Sequence, residues 1–368
     1  MLKITDLTQF ADIPCQKLDP NFPNSAPITI GNSIVCDGYT DDKTVAIFTH
    51  FHSDHIVNFS KTLRHCDHIL LTQPTFDAIK VLRHSNLNRA TIEPMPLSPN
   101  KFCTSKGETI ELINANHVPG SCQVFVEMEE NGIRILYSGD FCYPGLQVRK
   151  ADVLVLAAEH GTKTHDYHTD KPSILRTIFR DVYSEITKGE AVEIHAHSGS
   201  MQDIIEQLEK GVEGKFIPKA VPFLADQKDV ELTEALANAY SVPFRKLEEA
   251  TDNRLNELVE EKKPYVRFAP AATKTEQQDR ASKVIQADVN PGFANNGPYF
   301  QSETDNRIWF ACLSPHSSFS NILKYVGEVE PKLVLIDGTR AAKDTAISLA
   351  RSITEKFQIQ AIPKYCSY

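Results

Sequence analysis

Residues 48–59 read "FTHFHSDHIVNF" and bring together four metal-ligand side chains: His50, His52, Asp54 and His55. His50 and His52 are two positions apart, so on an extended segment they point to the same side. Asp54 and His55 lie where the chain leaves the strand and can turn toward a second point. One short loop can therefore supply two metal ions, and a solvated histidine turn is the alternative.

The ligand types in this segment indicate a catalytic site rather than a structural one. Zinc accepts imidazole nitrogen together with carboxylate oxygen, and two such ions a few ångströms apart can hold a bridging hydroxide. A structural zinc usually has four closed ligands including cysteine thiolates. Because the segment contains a carboxylate and no cysteine, we expect a hydrolytic centre.

Further ligands must come from other parts of the chain. His117 in "INANHVPGS", Asp140 in "LYSGDF" and His316 in "LSPHSSFSNI" each follow an apolar strand pattern. His117 or Asp140 taken alone would serve equally well as a capping or turn residue. Two-metal chemistry requires about this many ligands, with one carboxylate placed to bridge both ions.

Composition limits the remaining possibilities. The 368-residue chain has a formal net charge of -9, so a nucleic-acid partner would require a local basic groove. Its eight cysteines form no CxxC pair, the amino-terminal residues do not resemble a signal peptide, and no apolar run approaches roughly 20 residues. We therefore expect an intracellular protein, cytoplasmic or nuclear if eukaryotic, that is not secreted and has no membrane partner.

The pattern of elements indicates an interrupted α/β chain. Residues 28–160 read as short strands, and "EENG" predicts a hairpin turn between two of them. Residues from about 165 to 305 alternate short strands with helical patterns such as "SMQDIIEQLEKG". From "RIWFACLSPHSS" onward a strand, helix, strand, helix, strand order is expected to complete the first sheet.

Longer strings around the ligands resemble a known family. "VCDGYTDDKTVAIFTHFHSDHI", "INANHVPGSCQVFVE" and "ILYSGDF" are similar to the β-CASP nucleases of the metallo-β-lactamase superfamily. Within them the chain most resembles the Artemis-type DNA cross-link repair exonuclease branch, which has THFHSDH, ANHCPGS and TGDF strings. "SPHSSFSNILKYVGEVEPKLVL" resembles that branch's EHSSF segment and the helix and strand that follow it. The middle of the chain is similar mainly in architecture.

The resemblance implies an α/β fold, namely a metallo-β-lactamase αββα sandwich with an inserted β-CASP α/β domain. Residues 1–162 would form the first part of the metallo-β-lactamase domain, residues 163–305 the insertion and residues 306–368 the completion.

The resemblance also implies roles for the ligands around two zinc ions, although other divalent metals would fit the same donors. One ion would be bound by His50, His52 and His117, and the other by Asp54, His55 and His316. Asp140 would bridge both, and Asp37 would support the loop through hydrogen bonds. Catalysis would depend on Asp37, Asp54, Asp140 and His316.

Two positions depart from the family pattern. β-CASP enzymes carry an acid where this chain has Ala157, and the nearest carboxylate, Glu159, lies two residues later. RNA-directed members carry a histidine where this chain has Asp337, a departure that favours DNA over RNA.

Substrate contacts are predicted at two helix starts. Ser317 and Ser318 in "PHSS" begin a helix, where hydroxyls and free N–H groups can bind a phosphate, and Ser198 and Ser200 in "HSGSMQD" make a similar turn. A plain N-cap is the alternative at both places. Candidate phosphate-tracking cations are scattered: Lys163, Lys171, Arg176, Arg180, Lys274 and Arg280. His160, His165 and His168 are a further candidate metal set.

The leading hypothesis is a zinc-dependent nuclease that hydrolyses phosphodiester bonds, a DNA exonuclease of repair type, with nucleic acid as its partner. An RNA-processing β-CASP ribonuclease, a small-molecule metallo-hydrolase and an inactive nucleic-acid-binding scaffold remain as alternatives. The inserted domain disfavours a small substrate, which needs no second wall to form its pocket. Ala157 is the main argument for an inactive scaffold.

Overall fold

The computed structural model of the protein describes residues 7–15, 21–83, 87, 91–166, 170–271, 281–288 and 297–366. Three of the residues considered above, His168, Lys274 and Arg280, lie outside these ranges. The chain divides into two units. The first consists of Met1–Lys80, Ser85–Asp166 and His316–Tyr368, and the second of Val81–His84 and Tyr167–Pro315.

The secondary structure alternates strands and helices along the whole chain. The strands are β1 Ala11–Asp12, β2 Ile28–Ile30, β3 Ile34–Cys36, β4 Val45–Ile47, β5 His68–Leu71, β6 Ile92–Pro94, β7 Lys101–Cys103, β8 Glu108–Asn114, β9 Cys122–Met128, β10 Arg134–Tyr137, β11 Val153–Ala157, β12 Val192–Ala196, β13 Phe223–Ala225, β14 Glu248–Glu249, β15 Val266–Pro270, β16 Lys283–Gln286, β17 Tyr299–Gln301, β18 Ile308–Ala311, β19 Leu333–Asp337 and β20 Gln360–Lys364. The α-helices are α1 Phe59–His65, α2 Gln73–Arg83, α3 Lys171–Thr187, α4 Ser200–Lys210, α5 Gln227–Leu236, α6 Asp252–Glu260, α7 Phe319–Val329 and α8 Lys343–Phe357. Short 3-10 helices span Lys163–His165 and Ala237–Ala239.

Two sheets form the first unit. One has the order β1-β2-β3-β4-β5-β6, and the other has the order β20-β19-β11-β10-β9-β8-β7. Strands β3 to β6 are parallel to one another, and so are β10, β11, β19 and β20. Since loops that follow parallel strands emerge at one edge of a sheet, residues after β3, β4, β10, β11 and β19 are available to form a common site.

A shared apolar core joins these two sheets. Alternate residues of both sheets are buried in one cluster, for example Ile30 and Ile47 of one sheet with Val124 and Val155 of the other. On the far side of the second sheet, α7 and α8 bury residues such as Tyr325 and Leu349 in a separate cluster. The alternation of buried side chains along each strand therefore produces stacked layers of sheet and helix.

The second unit is built on one sheet with the order β14-β13-β15-β12-β16-β18-β17. Its neighbouring strands are parallel except for the antiparallel pair β17 and β18. Helices α3 and α4 bury apolar residues such as Ile178 and Ile205 against this sheet.

The α/β class predicted from the sequence is confirmed. The short strands predicted between residues 28 and 160 are present, with helices α1 and α2 among them, and the predicted hairpin joins the antiparallel strands β9 and β10. One assignment is wrong: β18, from the "RIWFACL" stretch, pairs with β16 and β17 in the second unit instead of completing the first sheet. The elements after it, β19 and β20, do extend a sheet of the first unit.

Among the residues that the structure describes, no helix combines the length and the apolar character that crossing a membrane requires.

Candidate metal centre

The loop that follows β4 carries most of the predicted ligands. The conformation of this loop is fixed by hydrogen bonds to the fully buried Asp37, which follows β3. Asp37 Oδ1 accepts a hydrogen bond from the Thr49 N–H at 2.8 Å, and Asp37 Oδ2 accepts one from the Thr49 hydroxyl at 2.7 Å. The Tyr137 hydroxyl donates to the same Oδ2 at 2.9 Å. A buried carboxylate with this many donors is a rigid support for the loop.

Four of the predicted ligands converge on one point. His52 Nδ1 lies 3.0 Å from His50 Nε2 and 3.3 Å from His117 Nε2. Asp140 Oδ2 lies 3.8 Å from His50 Nε2 and 3.7 Å from His117 Nε2. The structure therefore brings one donor atom from each of these four residues into a single cluster that could hold a metal ion.

The spacing of these four atoms suits a zinc ion. Ligand atoms around tetrahedral zinc, at bond lengths of about 2.0–2.1 Å, lie about 3.3 Å from one another. The four observed separations are distributed around that value. In addition, Asp140 Oδ1 is buried and has no hydrogen-bond partner among the described residues. An unsatisfied buried carboxylate oxygen is costly, and a cation would satisfy it.

Gly139 places Asp140 in the cluster. Its φ of 52° is left-handed, and a Cβ added there would lie 3.0 Å from the Cys122 carbonyl oxygen and 3.2 Å from Thr49 Cβ. The sequence "SGD" therefore requires glycine for both backbone conformation and space.

We expect Gly139→Ala to lower the free energy of unfolding by more than the roughly 1–2 kcal/mol of a left-handed alanine, because Thr49 must also move. Urea unfolding measures the loss. Gly132→Ala is the matched control, since Gly132 has a φ of 67° in open space. Equal destabilisation by both substitutions would contradict the role of the close contact with Thr49.

His55 also approaches Asp140, and its ring lies 4.1 Å from the His50 ring, centroid to centroid. His55 Nε2 is 3.4 Å from Asp140 Oδ2 and 3.6 Å from Asp54 Oδ2. The opposite ring nitrogen, Nδ1, donates to Asp37 Oδ2 at 2.8 Å. This hydrogen bond directs Nε2 toward the two carboxylates, as a metal-binding histidine requires. Nε2 makes no hydrogen bond among the described residues.

A second group of ligand-type residues contains Asp140, Glu159 and His316, whose ligand atoms lie within 4.8 Å of one another. The His316 ring also lies 4.6 Å from the His117 ring, centroid to centroid. Asp140 therefore belongs to both groups. Glu159 is the residue that the sequence pattern discounted, because it lies two positions beyond the family's usual acid. The loop after β11 brings it to Asp140 and His316 nevertheless.

Charges within the cluster shift several pKa values. Burial, assisted by the neighbouring histidines, holds the pKa of His50 well below its usual value, which favours the neutral, ligand form. Burial is the largest influence on His55 and opposes its charge, but Asp140, Asp54 and Asp37 together raise its pKa. The pKa of Asp140 is lowered by His55 against the effect of burial. Burial and the charge of Asp140 raise the pKa of Glu159.

The two serines at the start of α7 differ in their partners. The Ser317 hydroxyl donates to the Phe141 carbonyl at 3.1 Å and accepts from the Tyr143 N–H at 2.8 Å. Ser318 is the N-cap residue of α7, and its buried hydroxyl has no hydrogen-bond partner among the described residues. Ser317 therefore holds the chain in place, whereas Ser318 still has hydrogen-bonding capacity.

The corresponding residues of the second unit have partners of their own. Ser200 is buried at the start of α4 and its hydroxyl donates to Asp288, while Ser198 is half-buried. Three predicted cations form ion pairs: Lys171 with Asp203, Arg176 with Asp170 and Arg180 with Glu213. Lys163 is exposed in the first unit. In the second unit, therefore, these charges are largely balanced locally.

Two of the three histidines in the further candidate metal set, His160 and His165, lie among the described residues. The His160 and His165 rings stack with their centroids 5.0 Å apart, and His160 lies 5.4 Å from the His316 ring. No metal-ligand group forms around His160 and His165 among the described residues.

Comparison with known proteins shows which sequences this chain is similar to. No protein-family model matches the chain. An uncharacterised protein from the lig 3′ region of Acidianus ambivalens is 30% identical to it over 130 residues, which are 34% of this chain and 86% of the archaeal protein. The chain belongs to the same family as this archaeal protein. The name of the Acidianus protein carries no activity, so membership of this family leaves the reaction open.

Two other similarities extend the comparison beyond this family. The human DNA cross-link repair 1A protein is 33% identical over 107 residues, which are 28% of this chain. The aligned part is only 9% of the human protein. A crystal structure of a protein of unknown function from Enterococcus faecalis V583 superimposes with a TM-score of 0.55 at 12% identity, covering 92% of this chain and 93% of that chain. This last likeness shows a shared fold alone.

Proposed function

We propose that the protein is a zinc-dependent nuclease of the β-CASP group that hydrolyses phosphodiester bonds in DNA, with repair-type exonuclease action. The observation that carries the proposal is Asp140, whose carboxylate belongs to both ligand groups. A carboxylate shared by two ligand groups is the arrangement that two-metal hydrolysis uses. The similarity to the human DNA cross-link repair 1A protein supports DNA as the polymer.

The proposed ligand assignment follows the family resemblance, and the distances around Asp140 support it. His50, His52 and His117 would bind one ion, Asp54, His55 and His316 would bind the other, and Asp140 would bridge them. Glu159 joins the second set because its carboxylate lies within reach of Asp140 and His316. Metal ions bound here would supply Lewis acidity toward the phosphate and a hydroxide nucleophile at neutral pH.

The residues around these ligands would orient them. Asp37 fixes the His55 ring through Nδ1, so Nε2 would face a bound ion. Thr49 has the same role for His50, since the Thr49 hydroxyl oxygen lies 3.1 Å from His50 Nδ1. Such preorganised ligands keep the charge of the site in place while the phosphate reacts.

The amino-terminal end of α7 is the proposed phosphate-binding position. Its N-cap residue, Ser318, lies two residues after His316, and the Ser318 hydroxyl has no protein partner among the described residues. The N–H of Ser320 in the first turn donates to Asp166 Oδ1 at 3.0 Å, so a carboxylate already uses one of the helix donors. This contact supports an anion at that helix end, where the dipole favours negative charge.

The proposed domains follow the same resemblance. Residues 1–162 and, since β18 belongs to the second unit, residues 316–368 would form the metallo-β-lactamase domain, and residues 163–315 the inserted β-CASP domain. The two sheets, shared core and covering helices of the first unit support an αββα sandwich. The position of β18 in the sheet of the second unit favours a later end for the insertion.

The direct test combines metal content and cleavage on one preparation. Mass spectrometry would count bound zinc, and the same sample would be assayed against end-labelled single- and double-stranded DNA and RNA. We expect two zinc ions per chain and chelator-sensitive cleavage of DNA. Cleavage of RNA alone would mean that the substrate is RNA instead of DNA. Bound metal without any cleavage would favour the small-molecule hydrolase or the inactive scaffold.

Ser318→Ala tests the phosphate position. One hydrogen bond to a charged group contributes about 1.5–3 kcal/mol, so we expect KM for a 5′- or 3′-phosphorylated DNA end to rise roughly tenfold to a hundredfold with unchanged zinc content. Ser352→Ala, at a half-buried position of α8, is the control, since the Ser352 hydroxyl donates to the Ser348 carbonyl far from the proposed ligands in sequence. An unchanged KM in Ser318→Ala would remove this serine from substrate binding.

A further inference from the structure

Arg340 connects the second sheet of the first unit to the ligand loops of the first sheet. It follows β19, and its side chain is only 2% exposed. Its Nη1 donates to Asp337 Oδ2 at 2.7 Å, its Nε to the Asp54 carbonyl at 3.2 Å and its Nη2 to the Asp37 carbonyl at 3.1 Å. One guanidinium therefore contacts two loops that carry the site and one strand end of the opposite sheet.

The two carbonyls belong to residues that act on the same part of the site. Asp37 holds the His55 ring through its carboxylate, and Asp54 places its own carboxylate 3.6 Å from His55 Nε2. Arg340 contacts the main-chain oxygens of both residues, so neither contact uses a carboxylate. The Asp54 side chain is 43% exposed, and its residue lies in a turn outside the sheet. Contacts to the backbone are therefore important for its position.

The chemistry of arginine suits this role. Its planar guanidinium presents donors in a fixed fork, so three acceptors in different directions can be held at once. A buried ion pair adds little stability compared with apolar side chains of the same volume. The directions of the three contacts, rather than the charge pairing with Asp337, are what this arrangement provides.

We propose that Arg340 is a positioning residue that holds Asp54 and His55 in the geometry needed for the second of the two metal ions. This inference rests on the proposed two-metal function. The ligands of the first ion depend less directly on Arg340. His50 lies beside Thr49, whose hydroxyl donates to the Asp37 carboxylate, and the main-chain N–H of His117 donates to the Ser121 hydroxyl at 3.1 Å. Loss of Arg340 is therefore expected to affect the two ions unequally.

The test is a zinc titration of the purified full chain, with a chromogenic chelator as competitor and native mass spectrometry to count ions. Arg340→Met keeps much of the side-chain length without the donors, and Arg340→Lys keeps the charge without the fork. We expect both variants to bind the first zinc as the wild type does and to bind the second at least tenfold more weakly. Excess zinc should restore cleavage in Arg340→Lys.

Arg149→Met is the matched control. Arg149 also belongs to the first unit and pairs with the buried Glu111 at 2.8 Å, so its loss removes a comparable ion pair. It should leave both zinc affinities unchanged. The inference would be overturned if the second zinc bound to the Arg340 variants as tightly as to the wild type. Loss of the fold in both Arg340 variants would also overturn it. A wild type that binds no zinc would instead overturn the proposed function.

Discussion

Replacing Asp140 by asparagine is expected to abolish phosphodiester cleavage and to remove bound zinc while leaving the fold near that of the wild type. Asp140 is the one carboxylate that belongs to both ligand groups. Asparagine keeps its shape but loses the negative charge that balances the ions. A metal ligand contributes several kcal/mol to catalysis, so at about 1.4 kcal/mol per factor of ten we expect cleavage to fall about a thousandfold or more.

A control must separate the loss of a metal ligand from the loss of any buried carboxylate. Asp152→Asn serves this purpose, because Asp152 is buried just before β11 and pairs with Lys332 and Arg134 away from the ligands. We expect it to lower thermal stability without changing zinc content. Metal content, cleavage and thermal melting would be measured together. Undiminished turnover in Asp140→Asn would eliminate the bridging role.

Much of the ligand cluster could be predicted from the sequence because the ends of strands can be predicted. An apolar run followed by a polar turn residue predicts a side chain at the edge of a sheet. His50, His117 and Asp140 each follow such a run, and the structure brings their donor atoms together. Which ion each residue binds could not be predicted from the residues alone, since that depends on distances between loops of different strands.

The position of Glu159 could not be predicted in the same way. The side chain lies beyond the end of β11, where the two-residue alternation of a strand no longer fixes its direction. Its position two residues beyond the family's acidic residue therefore argues against Glu159 as a ligand. The turn after β11 nevertheless brings its carboxylate within reach of Asp140 and His316. Arg340 was missed for a related reason: no pattern marks a cation that contacts main-chain carbonyls distant in sequence.

The misplaced strand β18 has a different physical cause. Its sequence "RIWFACL" is a good strand pattern, and a strand pattern does not specify its neighbours. The strands that follow, β19 and β20, do belong to the second sheet of the first unit. The alternation of strands and helices therefore gives no sign of the boundary between the two units. The boundary lies between Pro315 and His316, within a loop that contains a predicted ligand.

Glu159→Gln is expected to reduce cleavage by about tenfold to a hundredfold and to weaken the binding of one zinc. Changes to groups that support a metal site typically have effects of about this size. Glutamine keeps the length of the side chain, so thermal stability without metal should change little. Zinc titration and kcat would be compared with wild type. Full activity and full zinc content in Glu159→Gln would exclude this residue and leave the family's acidic position unfilled.

The complementary substitution is Ala157→Asp, which restores the acid of the family pattern. Ala157 ends β11 and lies opposite Asp337 in the register of β11 and β19. A carboxylate there would lie beside a buried carboxylate that is already paired with Arg340, so repulsion and desolvation oppose it. If Glu159 already supplies the acid, Ala157→Asp should not raise cleavage. A rise in cleavage would mean that the missing acid limits the reaction and that Glu159 does not replace it.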